Sequence, residues 1–255
     1  MTARRRFLHG RSAGVLVALG LSLGARELHA EGADPAVSTN PTSSRLASGF
    51  SALDRPVGIM EVNVGLLTLP NAEICAERSA GCSRGDASFS LEAWELYRAN
   101  LRLGFGAGVM VGLIPTANPQ QDPEGLERDH TRGYFTIEGI VRYYPFVGRH
   151  FEGWVGVVGG LVVVSDRFTV PIEDDNRALL GTRGVTIASE GASLGLAVGL
   201  AYELAEHWSL IGNLRVTEWF LPSTPETDPL GSEASITGMN LSTAIAFGIA
   251  YRLPL

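Results

Sequence analysis

Residues 240–253, NLSTAIAFGIAYRL, divide into two sets when every second position is read. Leu241, Thr243, Ile245, Phe247, Ile249, Tyr251 and Leu253 share one face; Ser242, Ala244, Ala246, Gly248, Ala250 and Arg252 share the other. A period of two is a β-strand with distinct sides. Residues 101–113 and 191–204 alternate in the same way, with Leu, Val and Phe set against Gly, Ala and Ser. The pattern predicts strands near 58–69, 88–98, 101–113, 133–145, 152–164, 191–204, 207–219 and 240–253. Connections after the second, fourth and sixth are short (AN, FVGRHF, AEH), whereas those after the first, third, fifth and seventh are long and polar.

The second face decides which side is outside. A water-facing surface should carry charged residues and Thr along its length, but here it is mostly Gly and Ala. Small residues suit the cramped lumen of an eight-stranded barrel, so the greasy face is expected to point outward, into lipid. The predicted fold is all-β: an eight-stranded antiparallel up-and-down transmembrane β-barrel with four long outer loops and short periplasmic turns. Aromatics gather at both strand ends, as interfacial girdles do. Those assigned to the girdles include Tyr97, Tyr143, Phe151, Trp154, Tyr202, Trp208 and Tyr251 at the short-turn end, with Trp219 and Phe220 at the other. Two facings stay open. SLEAWELYR places Glu92 and Glu95 on opposite sides unless a bulge intervenes, and 152–164 is apolar on both faces.

From residue 58 onward the chain resembles the small eight-stranded outer-membrane proteins of the OmpA/OmpX and OmpW-like class. The features that carry the resemblance are RYYPFVGRHFEGWVGVVGG (142–160) and the ending FGIAYRLPL. It implies an outer-membrane location in a Gram-negative bacterium, contact with outer-membrane lipid and lipopolysaccharide, and insertion by the barrel assembly machinery. A monomer is expected. The chain ends on Leu255 where such proteins usually end on an aromatic, so the assembly signal is weakened.

Composition sharpens this picture. All twenty basic residues are Arg, and the formal net charge is −7. Arg4, Arg5, Arg6 and Arg11 followed by SAGVLVALGLSLGA (12–25) and LHA read as a signal peptide over 1–30. RRRFL also fits a twin-arginine signal, which would export a folded protein, but a plain basic segment is the expectation. Cleavage removes five Arg and one Glu, taking the charge to −7 − 4 = −11 and disfavouring nucleic acid as a partner. Residues 31–57 read as a disordered periplasmic linker, and 58–255 as the barrel.

Threading the strands up and down places Glu61, Arg98, Arg102, Arg142, Glu203 and Arg252 near the periplasmic end of the lumen, with Glu138 and Arg215 at mid-height. A charge cluster closing the barrel is expected, which argues against an open channel; a narrow porin is the alternative. Cys75 and Cys82, close together in an exported loop, are expected to form a disulfide. The four long loops carry 15 Asp/Glu and seven Arg, and PIEDDNR (171–177) reads as a solvated acidic loop. RGD (84–86) is a three-residue coincidence, and His130 and His150 read as isolated surface residues. His207, Ser209 and Glu218 contain the residue types of a lipid A deacylase, but eleven residues of strand hold His207 and Glu218 roughly 35 Å apart. No enzyme activity, metal or cofactor is therefore expected. The function expected is that of a non-enzymatic surface protein serving envelope integrity or interaction through its acidic loops.

Overall fold

The computed structural model describes residues 56–75, 82–113, 116–118, 129–169, 184–228 and 233–255. The expected signal peptide, nearly all of the linker and PIEDDNR lie outside them. Among the described residues nine strands form one antiparallel sheet: β1 Val57–Cys75, β2 Cys82–Arg98, β3 Leu103–Gly112, β4 Thr116–Asn118, β5 Asp129–Val147, β6 Phe151–Thr169, β7 Gly184–Ala205, β8 Trp208–Phe220 and β9 Met239–Pro254. β3 and β4 pair with successive stretches of β5, so they occupy one position in the wall, and eight positions close into a ring.

The ring has a measurable stagger. Following register partners from Tyr97 through Phe105, Val141, Val157, Leu196, Val216, Thr243 and Thr68 returns to β2 at Ala87, a displacement of 97 − 87 = 10 residues. Ten residues of stagger over eight strands tilts the strands by roughly 40°. The rows of partners therefore climb away from the periplasm on passing from β2 towards β3 and β5.

Alternation along these strands sorts the side chains. Met60, Val62, Val64, Phe105, Val141, Leu161, Leu196, Leu214 and Phe247 point outward, with Leu196 at 64% and Phe247 at 65% exposure. An apolar surface of this extent would be untenable in water, and here it forms a continuous belt about 25 Å tall between Tyr97 and the level of Ala87. Tyr97, Tyr143, Phe151, Tyr202, Trp208 and Tyr251 ring its periplasmic edge, and Phe220 lies at the other. Trp154 and Trp219 correct the girdle prediction: they are 5% and 1% exposed and point into the lumen. Their place at strand ends was legible, but one position of register separates lipid from lumen.

The strands also run well past the belt. β1, β5 and β6 have 19 residues each and β7 has 22, so much of what reads as loop continues the wall upward. In 88–98 no bulge occurs: Glu92 faces in and Glu95 out. In 152–164, Trp154, Val158 and Val162 face in and Val155, Val157 and Leu161 out. Leu101 and Arg102 leave the third strand for its preceding turn, where Asn100 Oδ1 accepts the backbone N–H groups of Arg102 and Leu103 at 2.8 and 2.9 Å.

Candidate functional site: the filled lumen and its mouth

Inward-facing residues stack in layers from the periplasm upward. The floor consists of ion pairs between strands. Arg142 grips Glu61 through two hydrogen bonds of 2.5 and 2.8 Å, and Arg98 donates to Glu152 at 2.6 Å. Each guanidinium also lies on a ring, Arg142 over Trp154 and Arg98 over Tyr144, both at 3.9 Å. Arg252 donates to Ser209 at 3.1 Å and lies 3.8 Å from Glu203. The space left among these side chains is about 10 Å³, room for about one water.

At mid-height Arg215 bridges two carboxylates, donating to Glu92 at 3.0 Å and lying 3.3 Å from Glu138. Trp94 Nε1 donates to Glu92 at 3.2 Å and Ser193 Oγ to Glu138 at 2.8 Å. The glycines of the lining make room for these rings. A Cβ at Gly108 or Gly199 would sit 2.3 Å from Trp94 or Trp154, respectively. Above lies an apolar layer that includes Leu67, Met110, Tyr134, Val162, Val164, Trp219 and Ile236.

The mouth is built from wall and loop together. The segment after β8 folds back so that Ala234, Ser235 and Ile236 are buried, and Gly238, at φ 71°, turns the chain out again into β9. Asp166 holds this segment: it accepts the backbone N–H of Ser235 at 2.9 Å and its hydroxyl at 2.5 Å. Arg132 Nε donates to Ser235 Oγ at 2.7 Å, and a terminal nitrogen of the same guanidinium donates to Asp86 at 2.7 Å; Tyr134 also donates to Asp86. His130 Nε2 lies 2.7 Å from Asp166, and its ring stacks on Phe168 at 4.5 Å. This level is above the apolar belt, since Thr131, Ser165 and Arg167 are the outward neighbours. Burial alone would push the Asp166 carboxyl up, but the hydrogen bond with His130, the Arg132 charge and the Ser235 donors outweigh it. They hold the carboxyl below its ordinary range.

Seven of the eight residues expected in a lumen charge cluster are buried there: Glu61, Arg98, Glu138, Arg142, Glu203, Arg215 and Arg252. Arg102 is the correction. It sits exposed in the β2–β3 turn and donates to the carbonyls of Tyr144 and Pro145 at 2.9 and 2.6 Å, because the strand begins only at Leu103. His130 is also corrected, from surface to buried. Glu152 was missed because its strand read as apolar on both faces, and Asp166 and Arg132 because their segments read as loop. Glu203 additionally lies 3.8 Å from His150, itself half exposed. Cys75 and Cys82 occupy opposite register positions at the β1–β2 end; their side chains lie outside the described residues. Ser209 faces the lumen while Glu218 faces outward at the far end of β8, so His207, Ser209 and Glu218 do not converge.

A closed antiparallel ring with charges inside and an apolar belt outside defines an eight-stranded outer-membrane β-barrel. No protein-family model and no curated protein matches the chain. Among solved structures it is similar to Neisserial surface protein A, at 14% identity over 78% of this chain and 97% of that one, with a TM-score of 0.43. It is similar to a major outer membrane protein from Thermus thermophilus at 16% identity, 77% and 99% coverage and a TM-score of 0.49. For Ail, the attachment invasion locus protein of Yersinia pestis, the values are 11%, 77%, 99% and 0.42.

Proposed function

We propose that this protein is a non-enzymatic, non-conducting surface barrel of the outer membrane, acting through the strand ends and loops raised above the bilayer. The observation that carries the reading is the lumen itself: a floor of paired charges, a mid-height Glu–Arg–Glu bridge, an apolar layer and a loop segment are stacked in series. Solute passage would require breaking buried ion pairs, which costs several kcal/mol for each. The extended upper wall instead supports a role in envelope integrity or contact, with lipopolysaccharide as the adjoining surface. Folded protein in a planar bilayer should give no conductance steps under applied voltage. Reproducible unitary steps would sink this reading and favour the narrow porin.

A further inference from the structure

One carboxylate sits where, among the described residues, no outward side chain of the belt balances it. Glu95 points outward from β2, two positions above the girdle residue Tyr97 and so roughly 5 Å inside the periplasmic edge of the belt. Its outward-facing register neighbours are Met60 on β1 and Ala107 on β3. Among the described residues no cationic side chain faces outward within the belt. Arg102, in the turn below, spends its guanidinium on two carbonyls.

A depression begins beside it, at its register partner Ala107. Its volume is about 500 Å³, and it lies on the outer wall between Phe105, Ala107, Gly139, Val141, Val157 and Gly159. Ala107 is the partner of Glu95, Gly139 of Ala107 and Gly159 of Gly139, so the groove follows the register row that starts at Glu95. By the stagger of the barrel that row climbs from the periplasmic interface towards the bilayer centre, over three strand spacings or about 14 Å. An anion at the interface and an apolar trough rising from it match an amphiphile with a cationic head. A second copy of this barrel would bring apolar residues to the trough but, among the described residues, no cation from its belt to Glu95. Glu218, the other outward carboxylate of the belt, lies near its upper edge beside Leu194 and Leu241 and has no such trough.

We propose that Glu95 and the Ala107–Gly139–Gly159 groove form a binding site for a phospholipid of the periplasmic leaflet bearing a primary ammonium head group, of the phosphatidylethanolamine type. The ammonium donates charge-assisted hydrogen bonds to the Glu95 carboxylate, and one acyl chain lies in the groove. The head group's N–H donors give selectivity over choline, which has the charge but no donor, and over anionic glycerol head groups, which Glu95 repels.

The test uses the full chain, folded in nanodiscs of equal parts phosphatidylethanolamine, phosphatidylcholine and phosphatidylglycerol, with lipids retained on release read by native mass spectrometry. Retained phosphatidylethanolamine should exceed the other two by about tenfold, and Glu95→Gln should erase that preference while still retaining lipid. Gly139→Leu should abolish retention of all three. A Cβ there meets nothing closer than the Gly106 and Gly159 carbonyl oxygens at 3.8 and 3.9 Å, so the wall accommodates it. Ala107→Leu is the second filling variant, and gel migration with and without boiling confirms the fold of each. Equal retention of the three lipids, an unchanged preference in Glu95→Gln, or undiminished retention in both filled variants would overturn the proposal.

Discussion

The floor and the mouth of this barrel use the same chemistry for different ends. Both bury arginines against carboxylates, and both add aromatic rings. At the floor, the partners of Arg98 and Arg142 are Glu152 and Glu61, on strands of the ring itself, so each pair ties one part of the wall to another. At the mouth, Arg132 also pairs with wall carboxylates, Asp86 and Asp166, but it and Asp166 reach past the wall to Ser235 on a loop as well. A buried pair within the wall stands or falls with the whole barrel. A hydrogen bond between wall and loop can open while the barrel stays closed. The position of the partner, more than the number of charges, separates a global strut from a local clasp.

That distinction can be broken experimentally, starting where the effect is largest. Arg142→Ala leaves Glu61 buried without its cation and should cost about 3–5 kcal/mol, seen as a lower urea midpoint for the fast-migrating folded band. Glu61→Gln with Arg142→Met should recover most of that loss, since it leaves no charge unpaired. An Arg142→Ala barrel as stable as the parent would reduce the floor to ornament.

Asp166→Ala should cost about 1–3 kcal/mol locally. Limited proteolysis should then cut within 221–238, while the unfolding midpoint of the barrel scarcely moves. A loss of global stability equal to that of Arg142→Ala would erase the contrast between clasp and strut.

The clasp should also respond to acid. The Asp166 carboxyl is depressed in the folded protein, so its contribution is full above the ordinary carboxylate range. That contribution is lost as pH falls through the lowered folded value. The protection factor of the Ser235 amide, whose N–H bonds Asp166, should fall in that acid window. A protection factor that stays constant throughout it would remove Asp166 as the anchor. The smallest effect belongs to Arg102→Ala: an exposed side chain hydrogen-bonded to two carbonyls should shift the midpoint by about 0.5 kcal/mol or less.

The outside of the wall was far more legible than its inside. Leu194, Leu196, Val198 and Leu200 declare their shared face by alternation alone, because lipid asks only for apolar surface. The lumen asks for particular partners. Alternation and strand direction place Glu61 and Arg142 at one end of the barrel, but their pairing depends on the stagger, which no local pattern carries. Glu152 hides in a strand whose two faces are both apolar. Trp154 and Trp219 show the converse hazard, since rings at strand ends suit either a girdle or a packed lumen, Trp154 against Gly199 and Trp219 against Tyr134. Asp166 and Arg132 escaped notice because the wall continues beyond the bilayer, where polar sequence reads as loop.

The four tryptophans test directly which side of each strand faces lipid. Trp208 is 45% exposed on the outer face, whereas Trp94, Trp154 and Trp219 are buried inside at 5%, 5% and 1%. Fluorescence of the folded protein should be measured in bilayers whose acyl chains carry bromine, a contact quencher. Partial quenching is expected that vanishes in Trp208→Phe, with the remaining three rings emitting undiminished. Strong quenching that survives Trp208→Phe would place the other rings in lipid and contradict the inside and outside of every strand described above.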